Sequence, residues 1–527
     1  MVDASGLCPQ PGPVSPKIHA GLAASLDDLF VTPDFKNWAI ESLSRAVRIP
    51  STSYDGMSPP GEDPRWEIML VFHSYLRERF PLVHEHLQLT KINLYALLFH
   101  WQGTDSSLKP LLLTAHQDVV PVLDDTLNEW IHPPFSGHYD GKWIWGRGSC
   151  DDKAGLVGIL SSIETLLEKD FRPRRSVVLS FGIDEESSGP YGAGALADYL
   201  YDVYGENAFA MLVDEGGRFT DHGIVMASPG VSEKGYMNVM IGLTTPGGHS
   251  SVPTSHTGIG LLSTLIQELE DHPFPTVLKR EGAYFAGLQC AAVHDTSLAE
   301  SRRDLIIRAT MNDAALEKLH AELTAEGGNQ YLAITGTTQG IDLIHGGIKV
   351  NALPEYVWAG INHRVADYSS YDEVRTRYAT VLAPVAERLN LSLDIFGDIF
   401  GAKSSVGHVR VATAFDQPVS PAPDAPTFGS PTWTVLAGTI RDTLASTLRT
   451  DAGPRYSAVA PALGLGTTDT KYYGRVSNAI YRYRHLNATD SFNGAHTTNE
   501  AMNAEGYIEM IRFYSRFILN VDEANLD

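Results

Sequence analysis

Apolar and polar positions alternate along this chain in two textures that meet near Gly235. Before that point, short apolar runs at Ala96–Trp101, Leu111–Ala115, Ser176–Ile183 and Ala208–Val213 predict buried strands. Helical spacing predicts helices around Ala154–Glu168 and Gly192–Tyr204. Thr32-Pro33 predicts a helix start, with Phe35, Trp38, Ala39, Leu43 and Val47 on one face and Pro50 as its stop. A second helix is expected around Trp66–Arg79, and residues 1–16, rich in Pro and Gly, read as an extended arm. Strands alternating with helices predict an α/β domain around a mostly parallel central sheet. Such sheets carry their functional loops at the carboxyl ends of the strands.

Past Gly235 the order changes. Met237–Leu243 predicts a strand, Gly258–Asp271 a helix, Ile341–Ile344 and Tyr356–Val365 strands, Tyr371–Leu389 a helix and Leu391–Phe396 a strand. That succession is the signature of a ferredoxin-like α+β insert. Pro273–Gln339 within it reads as irregular, and Asp416–Pro431 as a Pro/Ser-rich linker. A helix around Thr432–Leu448 is expected to return the chain to the first domain. The expected division is 1–235 and 413–527 for the first domain and 236–412 for the insert.

Composition narrows the function. A chain of 527 residues, 43% hydrophobic and 20% charged, is long enough for two domains and too apolar for disorder. A formal net charge of −23 argues against nucleic acid or an anionic membrane as main partner. No apolar run approaches the ~18 residues that span a bilayer. Cys8, Cys150 and Cys290 allow at most one disulfide, whose pairing stays open, and lack the spacing of a structural zinc site. The N-terminus has no signal-peptide pattern. Either the protein is cytosolic or a targeting segment is missing from this chain. Sequons at Asn390 and Asn487 lean towards the secretory route.

Candidate chemistry collects at the predicted strand ends. Leu111–Asp118 (LLLTAHQD) ends in His116 with Asp118 two positions on, so strand alternation puts both on one side. A carboxylate behind an imidazole fixes its tautomer for metal binding. Asp184-Glu185-Glu186 follows the next apolar run; three carboxylates facing one cavity repel unless cations are present. LVDEGG repeats the pattern with Asp214 and Glu215. GRGSCDDKAG (Gly146–Gly155) offers Asp151 and Asp152 before a helix, and NGAHTTN offers His496. Each motif alone is an N-cap or a solvated turn. Together His116, Asp151, Glu186, Asp214 and His496 make a nitrogen/oxygen donor set suited to zinc, cobalt or manganese.

The motifs WIHPPF, WGRGSCDDKAG, DEESSG, LVDEGG, GGHS (Gly247–Ser250) and NALP (Asn351–Pro354) resemble those of the dizinc amidohydrolases related to aminoacylase and glutamate carboxypeptidase, in the fungal carboxypeptidase S branch. The resemblance implies a zinc-exopeptidase-type catalytic domain with an inserted lid. It implies two zinc ions, replaceable by cobalt or manganese: His116, Asp151 and Asp214 around one, Asp151, Glu186 and His496 around the other. Asp118 would orient His116. Glu185 would be the general base towards a metal-bridging hydroxide, with a cis peptide after Asp151. His249 of the lid would stabilise the oxyanion, and Asn351 and Arg364 would bind substrate. GLGTTDTK (Gly464–Lys471) resembles a substrate loop, and Cys150 is expected to pack rather than react. The activity implied is hydrolysis of the C-terminal bond of short peptides, with N-acyl amino acids as the alternative substrates and a non-catalytic binding protein as a further alternative. A monomer and a homodimer are both open, and the vacuolar lumen or the outside of the cell is the expected compartment.

Overall fold

The computed structural model describes residues 6–221, 224–415, 417–453 and 455–526. The first five residues of the predicted arm and Asp416 of the predicted linker lie outside these. The larger sheet runs Gln88–Ile92, Ala96–Trp101, Val177–Gly182, Leu111–His116, Met211–Asp221, Ile480–Asn487, Gly230–Glu233, Ala462–Gly464. Its central strands are parallel, and the first two join as an antiparallel edge. Leu111, Leu113, Val177, Leu179, Met211 and Val213 are buried in one core, so the apolar runs are the sheet's interior. Lys153–Glu168 and Ala504–Glu523 supply much of that core's helical side.

Register brings the chemistry to one rim. His116 pairs with Gly182, so both strands end level and the residues after Gly182 meet His116. One strand departs from the sequence expectation. It runs to Asp221 instead of stopping at Val213, which puts Asp214 and Glu215 inside the strand.

The smaller sheet is ordered Gly340–Gly346, Tyr356–Val365, Gly235–Thr244, His408–Thr413, Ser392–Ile395, Asp398–Phe400. Helices Gly258–Asp271 and Tyr371–Arg388 pack on one of its faces. His408–Thr413 takes the fourth place of the ferredoxin-like order; the strand expected there instead forms an edge hairpin. HVRVAT alternates too briefly to announce a central strand. The stretch read as irregular is helical: Ala283–His294, Glu300–Ala309 and Asp313–Thr335 enclose a small core of Phe285, Leu305, Ile306 and Leu319. Its apolar stripes are narrow because three helices share one small core.

Cys8 and Cys290 form a disulfide, which ties the N-terminal arm to this helical segment. Cys150 is free and buried, and burial pushes its thiol up to about 12. Among the described residues no helix is long and apolar enough to cross a membrane.

Candidate metal centre

His116 closes its strand and Asp118 turns back beneath it. His116 Nδ1 lies 3.2 Å from Asp118 Oδ1, leaving Nε2 facing outward. Asp118 also accepts the backbone N–H groups of Glu185 and Glu186, each at 3.1 Å, and the Ser53 hydroxyl at 2.6 Å. One buried carboxylate therefore orients the imidazole and fixes the turn carrying the next two acids.

Asp151 reaches this rim from a tight turn. Gly148 adopts φ +83°, and a Cβ there would meet Val119 and the Lys153 stem, so a side chain would displace the loop. The Asp151–Asp152 peptide is cis. Glu500 accepts from the N–H of Cys150 at 2.7 Å and of Asp151 at 3.3 Å, and pairs with Arg147 at 2.7 Å. Asp152 caps the following helix through the N–H of Gly155.

The two oxygens of Asp151 face different imidazoles. Oδ1 lies 3.4 Å from His116 Nε2, and Oδ2 lies 3.3 Å from His496 Nε2. Glu186 stands 2.9 Å from His496. Asp151, Glu186 and His496 form one cluster of donors, and His116 joins Glu185 and Glu186 in another.

Glu215, rather than Asp214, completes the surroundings of His116. Its Oε1 lies 3.3 Å from Nε2, and His116, Asp152 and Glu215 form a third donor cluster. Consecutive strand residues point to opposite faces, so only one member of the pair can meet His116. Asp214 instead lies near Thr114, Glu233 and Asp469, and among the described residues its Oδ2 is buried without a hydrogen-bond partner. Geometry thus favours Glu215 over Asp214 as the donor beside His116. Glu215→Gln is expected to lower the bound metal to about one ion per chain, whereas Asp214→Asn keeps two. Elemental analysis after dialysis checks this, and the reverse pattern would return the role to Asp214.

Arg484 is a buried cation of the site, carried by the strand Ile480–Asn487, where the sequence alone gives no sign that it turns inward. It donates to the Cys150 carbonyl, to Asp152 at 3.0 Å, and approaches Glu215 at 3.6 Å. Asp469 of the GLGTTDTK loop is buried near Asp184 and Asp214.

The electrostatics fit divalent cations. Burial, with neighbouring charge, pushes Glu186 up to about 7 and Glu185 well above the usual carboxylate range. Burial and the Asp151 charge raise Glu215. Burial alone would raise Asp151 too, but the hydrogen bonds from His116 and His496 outweigh it and hold it low. Those same carboxylates hold His496 up at about 10. Crowded carboxylates sharing two imidazoles, with no sulfur, are a donor set whose repulsion divalent ions relieve.

The lid residues stand apart from this set. His249 is exposed in a two-residue strand paired with Ala352–Leu353, and its Nδ1 is bonded to Ser251. Among the described residues it makes no hydrogen bond or ion pair with the ligand candidates. Asn351 is exposed beside it. Arg364 is half-buried and lies over the Tyr236 ring, which Lys471 also approaches.

The model of Peptidase family M20/M25/M40 matches residues 112–520. The chain belongs to this family. Carboxypeptidase S of Saccharomyces cerevisiae is 38% identical over 98% of this chain and 89% of its own length. The N-fatty-acyl-amino acid synthase/hydrolase PM20D1 of Mus musculus is 30% identical over 92% of this chain and 87% of its own. Among solved structures, an M20 family metallo-carboxypeptidase from Sulfolobus solfataricus superposes with a TM-score of 0.61 at 18% identity, covering 92% of this chain and 99% of its own. A Bacillus subtilis protein described as a dinuclear metal-binding peptidase of the M20 family superposes at 0.51 with 10% identity, covering 93% and all of its own chain. The M20 chain is thus an α/β peptidase with an inserted lid, and its rim carries donor clusters of the kind a dinuclear family requires.

Proposed function

We propose that this M20 peptidase is a zinc-dependent carboxypeptidase that hydrolyses the C-terminal peptide bond of short peptides. The observation that carries the reading is Asp151, whose two oxygens face His116 on one side and His496 on the other. His116, Asp151 and Glu215 would hold one zinc, and Asp151, Glu186 and His496 the other; cobalt or manganese would suit the same donors. The ions would polarise the scissile carbonyl and acidify a water. Glu185, whose backbone N–H donates to Asp118, would take the proton of the attacking water and return it to the leaving amine. Arg364 suits the substrate carboxylate, since a guanidinium binds it through two parallel hydrogen bonds.

His249 is assigned to the oxyanion and Asn351 to the substrate. Both are exposed on the lid, so they serve either after lid closure or in a partner's site. A homodimer is the form that fits the exposed Ile348 and Val350 beside them. Light scattering at the monomer mass of 57.5 kDa would argue against it.

The second reading, an N-acyl-amino-acid amidohydrolase, is favoured by the 30% identity to PM20D1. A screen of zinc-loaded protein against free peptides, N-blocked dipeptides and N-acyl amino acids decides between them. Release of the C-terminal residue from peptides is expected. Hydrolysis confined to fatty-acyl amides would overturn the carboxypeptidase reading, and no hydrolysis at all would overturn both.

The Cys8–Cys290 disulfide supports an oxidising compartment, the secretory pathway or vacuolar lumen. Exposed Asn390 is the better placed of the two sequons for glycosylation, since Asn487 is half-buried. Unchanged mobility after endoglycosidase treatment of native protein would count against this route.

A further inference from the structure

Between the lid sheet and the rim of the larger sheet lies a cavity of about 440 Å³. Its floor is Asp55, Ser187 and Ser188; its roof includes Asn238, Asp342 and Asn362. The floor belongs to the catalytic turn: Ser187 follows Glu186 directly, and Asp55 is two residues from Ser53, which donates to Asp118. The roof is the lid face turned away from the lid's own core. Strand alternation puts Tyr236 and Asn238, and Gly360, Asn362 and Arg364, on that face.

Asp342 is aimed by a local irregularity. Ile341 pairs with Ile361 and Leu343 with Gly360, so Asp342 is the extra residue of a β-bulge. Bulges re-aim side chains and are common beside active sites. Opposite it, a Cβ at Gly360 would stand 3.2 Å from Leu343 and from Phe415, so glycine keeps the space clear. Among the described residues the charged side chains lining the cavity are Asp55 and Asp342, both acidic and both exposed. Asn362 Nδ2 donates to Asn238 Oδ1 at 2.7 Å, a polar midpoint. Arg364 lies two residues past Asn362, with Lys471 against the same Tyr236 ring.

Charge is thus separated along this face: Arg364 and Lys471 stand at the Tyr236 ring beyond the cavity's lining, amides lie in the middle, and the carboxylates of Asp342 and Asp55 line the cavity itself. From Arg364 to Gly360 a strand advances roughly 13 Å, at ~3.3 Å per residue. An extended peptide of three or four residues has that span.

We infer that this cavity receives a cationic group on the acyl side of the substrate, the α-ammonium of a short peptide or a lysine side chain. The enzyme therefore prefers zwitterionic tri- and tetrapeptides to N-blocked or fatty-acyl substrates. This rests on the carboxypeptidase reading and names its substrate class.

The test compares kcat/KM on a free-amino tripeptide, its N-acetyl form, and an N-acetyl form with lysine on the acyl side. In Asp55→Asn/Asp342→Asn, kcat/KM for the free-amino peptide is expected to fall roughly five- to tenfold, through KM, while the acetylated neutral peptide changes less than twofold. The wild-type preference is expected to shrink with added salt. The lysine peptide tells an ammonium at the chain end from one on a side chain. Equal losses on all three peptides, or a wild-type preference for the acetylated neutral form, would overturn the inference and leave the carboxypeptidase reading intact. If nothing is hydrolysed, that reading falls, and calorimetric binding of the same uncleaved peptides to wild type and variant decides the cavity: tighter wild-type binding of the cationic peptides supports it, and equal binding overturns it.

Discussion

Glu185→Gln is expected to lower kcat roughly a thousandfold while both metal ions stay bound. Glu185 sits in a turn whose backbone is fixed by Asp118, so an isosteric amide keeps the geometry. The substitution removes the proposed proton acceptor. Burial, with the neighbouring carboxylates, holds this carboxyl well above the usual range in the metal-free site. Glu186, one residue on, faces His496 and belongs to the donor set, so Glu186→Gln should lose metal as well as rate. Steady-state kinetics with elemental analysis of the same samples separates the two variants. A Glu185→Gln enzyme with full metal content and kcat within threefold of wild type would sink the general-base assignment.

Arg484→Met is expected to cost about 3–5 kcal/mol of stability, because it leaves buried carboxylates without their cation. Met matches the stem of arginine, so the loss is electrostatic rather than a cavity. Arg484 is 4% exposed, and its guanidinium joins three parts of the site: the Cys150 carbonyl, Asp152 and Glu215. Metal affinity should fall with stability, since the Asp151 loop and Glu215 lose a shared anchor. Denaturant melts of metal-free protein give the first quantity, and competition with a chelator the second. Adding Asp152→Asn should restore part of the loss, as expected for coupled neighbours. A destabilisation below about 1 kcal/mol in metal-free protein would show that Arg484 is not the counter-charge described here.

Much of the site is legible in the amino-acid sequence. His116, Asp118, Glu185 and Glu186 each follow an apolar run; alone each reads as a solvated turn, and their recurrence at several strand ends marks the site. Asp151 is legible through its glycines and the helix it precedes. The fold class follows from the same runs, because buried parallel strands are continuous in apolar character. The helices of 283–335 are hidden, since helices that share a small core show only thin apolar stripes.

Other residues depend on pairings between distant parts of the chain. Glu500 and Arg484 lie hundreds of positions from the loop they hold, and nothing local marks them. Spacing offers Cys8 two possible disulfide partners, and only the fold brings Cys290 beside it. By itself the sequence determined which residue types gather at the strand ends, because a strand's burial and its termini are written in consecutive residues. Only the tertiary structure decided that Glu215, and not Asp214, faces His116, and that Asp342 looks into the cleft. Both follow from strand extent and register, and a shift of one residue turns a side chain to the opposite face.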